Sequence, residues 1–398
     1  MRGKRKLLWV GIITLTGVVV CGQLNGQTQK QVQRQSHREG KLQSHPQKNK
    51  GYPARDAHLD LLQGFINPPE GYGNVPFYWW NGDTLKKERL KEQLDILAAS
   101  ATDGFAVSYI HTHPQIDTLE NKGGYGLYGM TEPGAPKVFS DEWWEIWNWF
   151  SGECGKKGMG VGLDDYTVGW PGNGFYPDEL DSLPAFQGYQ GKLVITVDTV
   201  PGGERYSVDL PENLLAVVAW PGQVVLANEG DKRSIQWRAP RGEESHVYTI
   251  TTQPGYVLHP EHGQRLVEVY FDRFEQRMDE TGRKGMNYFF QDELAYPITM
   301  RSWSDDFREE FLERKGYDIV PYLPALKEEI GPETPKVRLD YCEVLMDLSE
   351  ERYYQPIYDW HAERGLMYGA DNLSRGKNPT AYIDYFRANS WYTAPGND

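Results

Sequence analysis

The stretch Met286-Asn287-Tyr288-Phe289-Phe290-Gln291-Asp292-Glu293-Leu294, MNYFFQDEL, decides how this chain is read. An apolar and aromatic run ends abruptly in two adjacent carboxylates, Asp292 and Glu293. Short runs of this composition read as buried strands. An acidic tip on such a strand is either a surface turn or part of a site at the mouth of a barrel, where strand C-termini carry the working groups. The flanking sequence has to choose between them.

Working outward, strand and helix patterns alternate. Upstream, Glu261 to Glu280 is helical, with Leu266, Tyr270, Phe274 and Arg277 marking faces one turn apart. Before it, VPFYWW (Val75 to Trp80) reads as a first strand closed by Asn81-Gly82, and Asp83 or Thr84 can cap a helix carrying Leu90, Leu94 and Leu97. GFAVSYIHTH (Gly104 to His113) is a second strand. DEWWEIWNWFSGECGKKG is a helix ended by Gly158, and MGVGLDDY a third strand. Downstream come a helix from about Ser304 to Lys315 and a long one from Val337 to Arg364, expected to bend at Pro356. LMYGADN is a fifth strand, PTAYIDYFRANS a helix and WYTAPGND a sixth strand.

Strands alternating with helices predict a parallel sheet. With no glycine-rich nucleotide turn, the expectation is a (β/α)8 TIM-barrel-type α/β domain over residues 59–398, stopping after about six strands. Residues 187–255 break the pattern with short alternating segments at hairpin spacing, which predicts a small all-β insertion.

The first 22 residues, a basic start followed by LLWVGIITLTGVVVC, fit a signal peptide, with a signal anchor or a lipid anchor at Cys21 as alternatives. No membrane span is expected in the mature chain, which is placed outside the cell, in the periplasm or on the surface. Residues 23–58 are polar and nearly free of apolar side chains, so they read as a disordered linker. Up to residue 59 there are eleven Lys/Arg against two Asp/Glu; the total of -14 therefore leaves about -23 on the remainder. An acidic body argues against nucleic acid as a partner. Aromatic residues reach 13%, with 13 Trp and 25 Tyr, which suits stacking on sugars as well as a large core. Outside the signal only Cys154 and Cys342 remain, enough for one disulfide but for no framework.

The strand ends share a character. They offer Trp80 and Asn81, then His111 and His113, Asp164 and Asp165, Asp292 and Glu293, and finally Asp371 and Asn372. Carboxylates facing each other across a cleft suit glycoside cleavage, in which an acid of raised pKa protonates the leaving oxygen and a second carboxylate attacks or activates water. Glu293 is the candidate acid because Tyr288, Phe289 and Phe290 supply an apolar approach, and Asp292 is its alternate. The remaining eight residues are candidate substrate contacts. His111 and His113 also open a rival reading, since His-x-His at a barrel strand begins the metal site of amidohydrolases. Later strands offer no further histidine, and His361 falls within a helix.

The motifs PFYWWNGD, DGFAVSYIHTHPQ, YFFQDEL, SWSDDFREEFLERKGYDIVPYLPAL and YDWHAERGLMYGADN resemble glycoside hydrolase family 106, chiefly α-L-rhamnosidases, over roughly residues 64–398. The resemblance implies secreted bacterial enzymes of polysaccharide breakdown that invert configuration through two glutamates, with a calcium ion near the site. It places the catalytic acid on the strand matched by YFFQDEL, which supports Glu293. Many members carry Asp-Ser-Trp/Phe-Glu there, whereas this chain has Gln-Asp-Glu-Leu, so the role could slip to Asp292. The second glutamate and following β-sandwich domains are expected beyond residue 398, which makes the chain the front part of such an enzyme, inactive in isolation. A non-catalytic carbohydrate-binding remnant is the alternative.

Overall fold

The computed structural model describes residues 60–67, 74–80, 84–100, 102–109, 135–136, 138–164, 180, 182–230, 233–294, 296, 298–372 and 384–396. Six strands form one parallel sheet in the order β1 (Phe77–Trp80), β2 (Gly104–Tyr109), β3 (Gly160–Asp164), β10 (Met286–Leu294), β11 (Met367–Asn372) and β12 (Ala394–Gly396). Each is parallel to its neighbour.

The two faces of this sheet differ because side chains alternate along each strand. The register aligns Trp79 with Ser108, and it aligns Asp164 with Phe290, Gly369 and Ala394, so these residues form a row across one face. On that face the rings of Phe77 and Phe290 lie 5.7 Å apart, although β2 and β3 separate their strands. A flat sheet would hold strands one and four about 14 Å apart. The sheet therefore curls, and this face is concave. Glycines on neighbouring strands make room for the rings. A Cβ at Gly162 would sit 2.5 Å from the Tyr288 ring, and one at Gly369 would sit 2.8 Å from the Phe290 ring.

Helices cover the convex face. After α1 (Leu61–Ile66) and α2 (Lys87–Ala98), α3 (Asp141–Lys156) is started by Ser140, whose hydroxyl accepts from the Trp143 N–H at 3.2 Å. Asp141 and Glu142 in its first turn suit the helix dipole. Its buried face carries Trp143, Trp147, Phe150 and Cys154. The helix also holds the turn that feeds β10: Ser151 donates to the Gly282 carbonyl at 2.6 Å, and Asn148 donates to Arg277 and accepts from Asp279.

Two longer helical stretches are each interrupted by a π turn. The first is α4 (His262–Leu266), a π turn at Val267–Phe271, then α5 (Asp272–Arg277). After α6 (Phe307–Lys315), the second is α7 (Thr334–Ser349), a π turn at Glu350–Tyr354, then α8 (Gln355–Arg364). The bend expected at Pro356 thus takes the form of a widened turn just before it. Proline has no N–H for the carbonyl four residues back and crowds it, and a wider turn relieves both problems. A last short helix, α9 (Tyr385–Asn389), leads into β12.

Between β3 and β10 the chain forms antiparallel strands, β4 (Gln190–Val200) to β9 (Ser245–Pro254). With β5 (Arg205–Asp209), β6 (Leu214–Trp220), β7 (Val224–Asn228) and β8 (Ser234–Arg238) between them, they are arranged as a four-stranded sheet β4-β9-β6-β7 and a pair β5-β8 around Val200, Leu214, Val217, Ile235 and Val247. The root of this region is tied to the segment after β10, because Leu193 donates to the Arg301 carbonyl at 2.7 Å and Trp303 to that of Gly191 at 2.9 Å. Cys154 and Cys342 are both free thiols. No described helix is long and apolar enough to cross a membrane.

Candidate active site

The decisive stretch is a strand with a defect at its tip. β10 pairs with β11 in regular register up to Gln291 and Ala370, and pairing resumes at Leu294 and Asn372. Three steps along β10 therefore match two along β11, so Asp292 and Glu293 share a β-bulge opposite Asp371. A bulge frees one residue from the ladder and twists the strand locally, which is how strand ends are re-aimed near active sites. The backbone thus gathers three carboxylate-bearing residues at one end of the curled sheet.

The row beneath the bulge supports it. Asp164 is 0% exposed and accepts from the Ser108 hydroxyl at 3.1 Å. A buried carboxylate without such donors would be strongly disfavoured. Phe290 and Trp79 stand in the same row and are half-buried, and Asp371 is half-buried at the end of its strand.

Trp80, expected as a substrate contact, lies elsewhere. It is 2% exposed, with its ring 4.9 Å from Phe150 and 5.9 Å from Trp147, in the layer between β1 and α3. The reason is phase: Trp79 takes the concave side of β1, so Trp80 must take the other. Asn372 closes the register with Leu294 through its backbone. Asn81, His111, His113 and Asp165 lie outside the described residues.

Behind the bulge sits a polar cluster that the sequence did not single out. Gln291 is 0% exposed. Its carbonyl oxygen accepts from the Tyr368 hydroxyl and, at 2.9 Å, from the Tyr392 hydroxyl, while its Nε2 donates to Tyr353 at 3.1 Å. Nearby, Arg352 donates to the Leu258 carbonyl at 2.7 Å, to Ser304 at 3.2 Å and to both oxygens of Asp306. Burial pushes the Asp306 carboxyl up, but hydrogen bonds from Arg352 and Ser304 outweigh it and hold the carboxyl below its ordinary value. Asp305 moves the opposite way, raised by burial and by the adjacent Asp306 charge. The only sequence signal for this layer was its density of tyrosines, which a plain core shares.

His361 belongs to the same back layer. It stacks on Tyr368 at 4.5 Å, and its Nδ1–H donates to the Ile357 carbonyl at 2.7 Å. Burial pushes its pKa down to about 3, so it is neutral. Among the described residues no group of three or more His, Cys, Asp or Glu side chains is arranged to hold a metal ion.

A curled parallel sheet with acids at its C-terminal end is the arrangement of an α/β protein whose site lies at the strand mouths. Comparison with known proteins narrows this class. Residues 257–385, which include the bulge, match the sequence model of glycoside hydrolase family 106, described as alpha-L-rhamnosidase. The rhamnosidase from Novosphingobium sp. PP1Y superposes with a TM-score of 0.54 at 12% identity, over 82% of this chain and 48% of that one. At this identity the likeness concerns the fold. A protein of Formosa agariphila (strain DSM 15362) named "Putative beta-glucuronidase" is 26% identical over 164 residues, which cover 36% of this chain and 14% of that protein. The chain matches less than half the length of either protein. Over residues 257–385 the chain is similar to glycoside hydrolase family 106.

Proposed function

We propose that the protein is a glycoside hydrolase acting on α-L-rhamnosides of oligo- or polysaccharides, with inversion of configuration. The observation that carries this reading is the bulge that sets Asp292 and Glu293 opposite Asp371 at the end of β10. In the proposed mechanism Glu293 is the general acid that gives its proton to the glycosidic oxygen as the bond to the anomeric carbon breaks. A second carboxylate takes a proton from the attacking water on the opposite face of the sugar. Asp371, half-buried at the end of β11, accepts hydrogen bonds from sugar hydroxyls, and the buried Asp164 supports the row beneath it. Asp292 is the alternate acid. The curl of the sheet supports its closure into an eight-stranded barrel, and the N-terminal 22 residues support secretion.

The test uses the protein isolated from its source, with aryl α-L-rhamnosides of good and poor leaving groups and an aryl β-glucuronide for contrast. Glu293→Gln should abolish turnover of the poor leaving group and lower that of the good one far less, because only the former needs protonation. The first product observed by proton NMR should be the β-anomer of rhamnose. Full activity in Glu293→Gln, with loss in Asp292→Asn, would move the acid to Asp292. A wild-type protein that cleaves none of these substrates would end the reading.

A further inference from the structure

A bulge cannot be held by its ladder, since its extra residue has no ladder partner. Some other contact must fix Asp292 and Glu293, and the residue before them is hydrogen-bonded through its side chain to three tyrosines. Gln291 is wholly buried, and both ends of its planar amide are engaged, two donors on Oε1 and one acceptor on Nε2. The three hydroxyls come from separate elements: Tyr368 from β11, Tyr392 from the segment before β12, and Tyr353 from the second π turn. An amide pinned at both ends cannot rotate, so the last regular residue of β10 has one orientation. A Met or Leu would fill the same volume, but it would leave three buried hydroxyls to find new partners.

We infer that Gln291 is a positioning residue whose tyrosine cage sets the geometry of the Asp292–Glu293 bulge. The inference rests on the glycosidase reading of that bulge. It differs from a packing role in what it predicts. Loosening the cage should disturb a proton-transfer geometry, where small displacements are costly, while the binding of the sugar is largely retained.

The experiment compares wild type, Gln291→Met and the milder Tyr392→Phe in the full protein, using an aryl α-L-rhamnoside and hydrogen–deuterium exchange. Expected for Gln291→Met are a kcat lowered at least 30-fold, a KM within threefold of wild type and a displaced basic limb of the pH–rate profile. Tyr392→Phe should show a smaller loss of the same kind. Exchange at residues 292–294 should quicken at least tenfold in both variants, while β2 is unchanged. Wild-type kcat, KM and pH profile in Gln291→Met would overturn the inference, as would a rise in KM alone. If Gln291→Met does not fold, Tyr392→Phe decides by the same criteria. If wild type cleaves no glycoside, the functional reading falls, and exchange alone decides whether the cage holds the bulge. Unchanged exchange at 292–294 would then overturn the inference as well.

Discussion

The two faces of the parallel sheet use the same strands for opposite purposes. On the convex face Phe105, Phe289 and Tyr368 are all 0% exposed, and they pack among rings from the covering helices. Phe289 alone meets Phe271, Phe274 and His361 edge-on. The concave face alternates large rings with small residues, Phe290 beside Gly369 and Tyr288 beside Gly162, and it carries Asp164 and Asp371. Tightly packed rings are concentrated on one side and carboxylates on the other. A residue's parity along the strand decides which it serves.

The sharpest way to break this comparison is to alter one residue of each kind on β10. Glu293→Gln is expected to lower turnover of an unactivated rhamnoside by roughly 10³-fold, with the melting temperature unchanged. A large fall in melting temperature would instead make Glu293 a structural residue. On the convex face, Phe289→Ala should destabilise by about 3–5 kcal/mol in denaturant unfolding, through lost burial and the cavity left behind. Phe290→Ala, one residue on and half-buried, should cost clearly less; equal losses would mean that the faces are not distinct. Gly369→Ala should cost about 1–3 kcal/mol, since its methyl must displace the Phe290 ring.

The smallest effect is graded by pH. Burial pushes the pKa of His361 down to about 3 and that of His262 to about 4. Below about 6.5 the unfolded chain binds protons that the folded one refuses, so stability is complete above that pH and falls as the pH drops toward 4. Each histidine contributes at most about 1.4 kcal/mol per pH unit across this window. His361→Phe should flatten the decline in melting temperature between pH 6.5 and 4.5. An unchanged slope would place the titration elsewhere.

Much of the scaffold could be read from the sequence, because strand-forming runs and helical spacing are local properties. The six parallel strands fall where apolar runs such as FAVSY and MNYFF stand, and segments such as Lys192 to Val200 do form antiparallel strands. Phase was not legible. Nothing local tells which of Trp79 and Trp80 faces inward; that depends on α3, whose Trp147 and Phe150 claim the outer ring. The cage around Gln291 was invisible for a similar reason, since its partners lie 62, 77 and 101 residues away. The acidic tip was visible as composition, but the bulge depends on register with β11, which no single strand contains.

The π turn at Glu350–Tyr354 has a consequence for how this segment tolerates changes of length. A π turn holds one residue more than a regular helical turn, so deleting a single residue there would restore an ordinary helix. That deletion would look harmless by helix propensity. Yet it would shorten the one turn that carries both Arg352 and Tyr353, and these two side chains could no longer both meet Asp306 and Gln291. A one-codon loss in this turn should therefore be far less tolerated than one in an exposed loop.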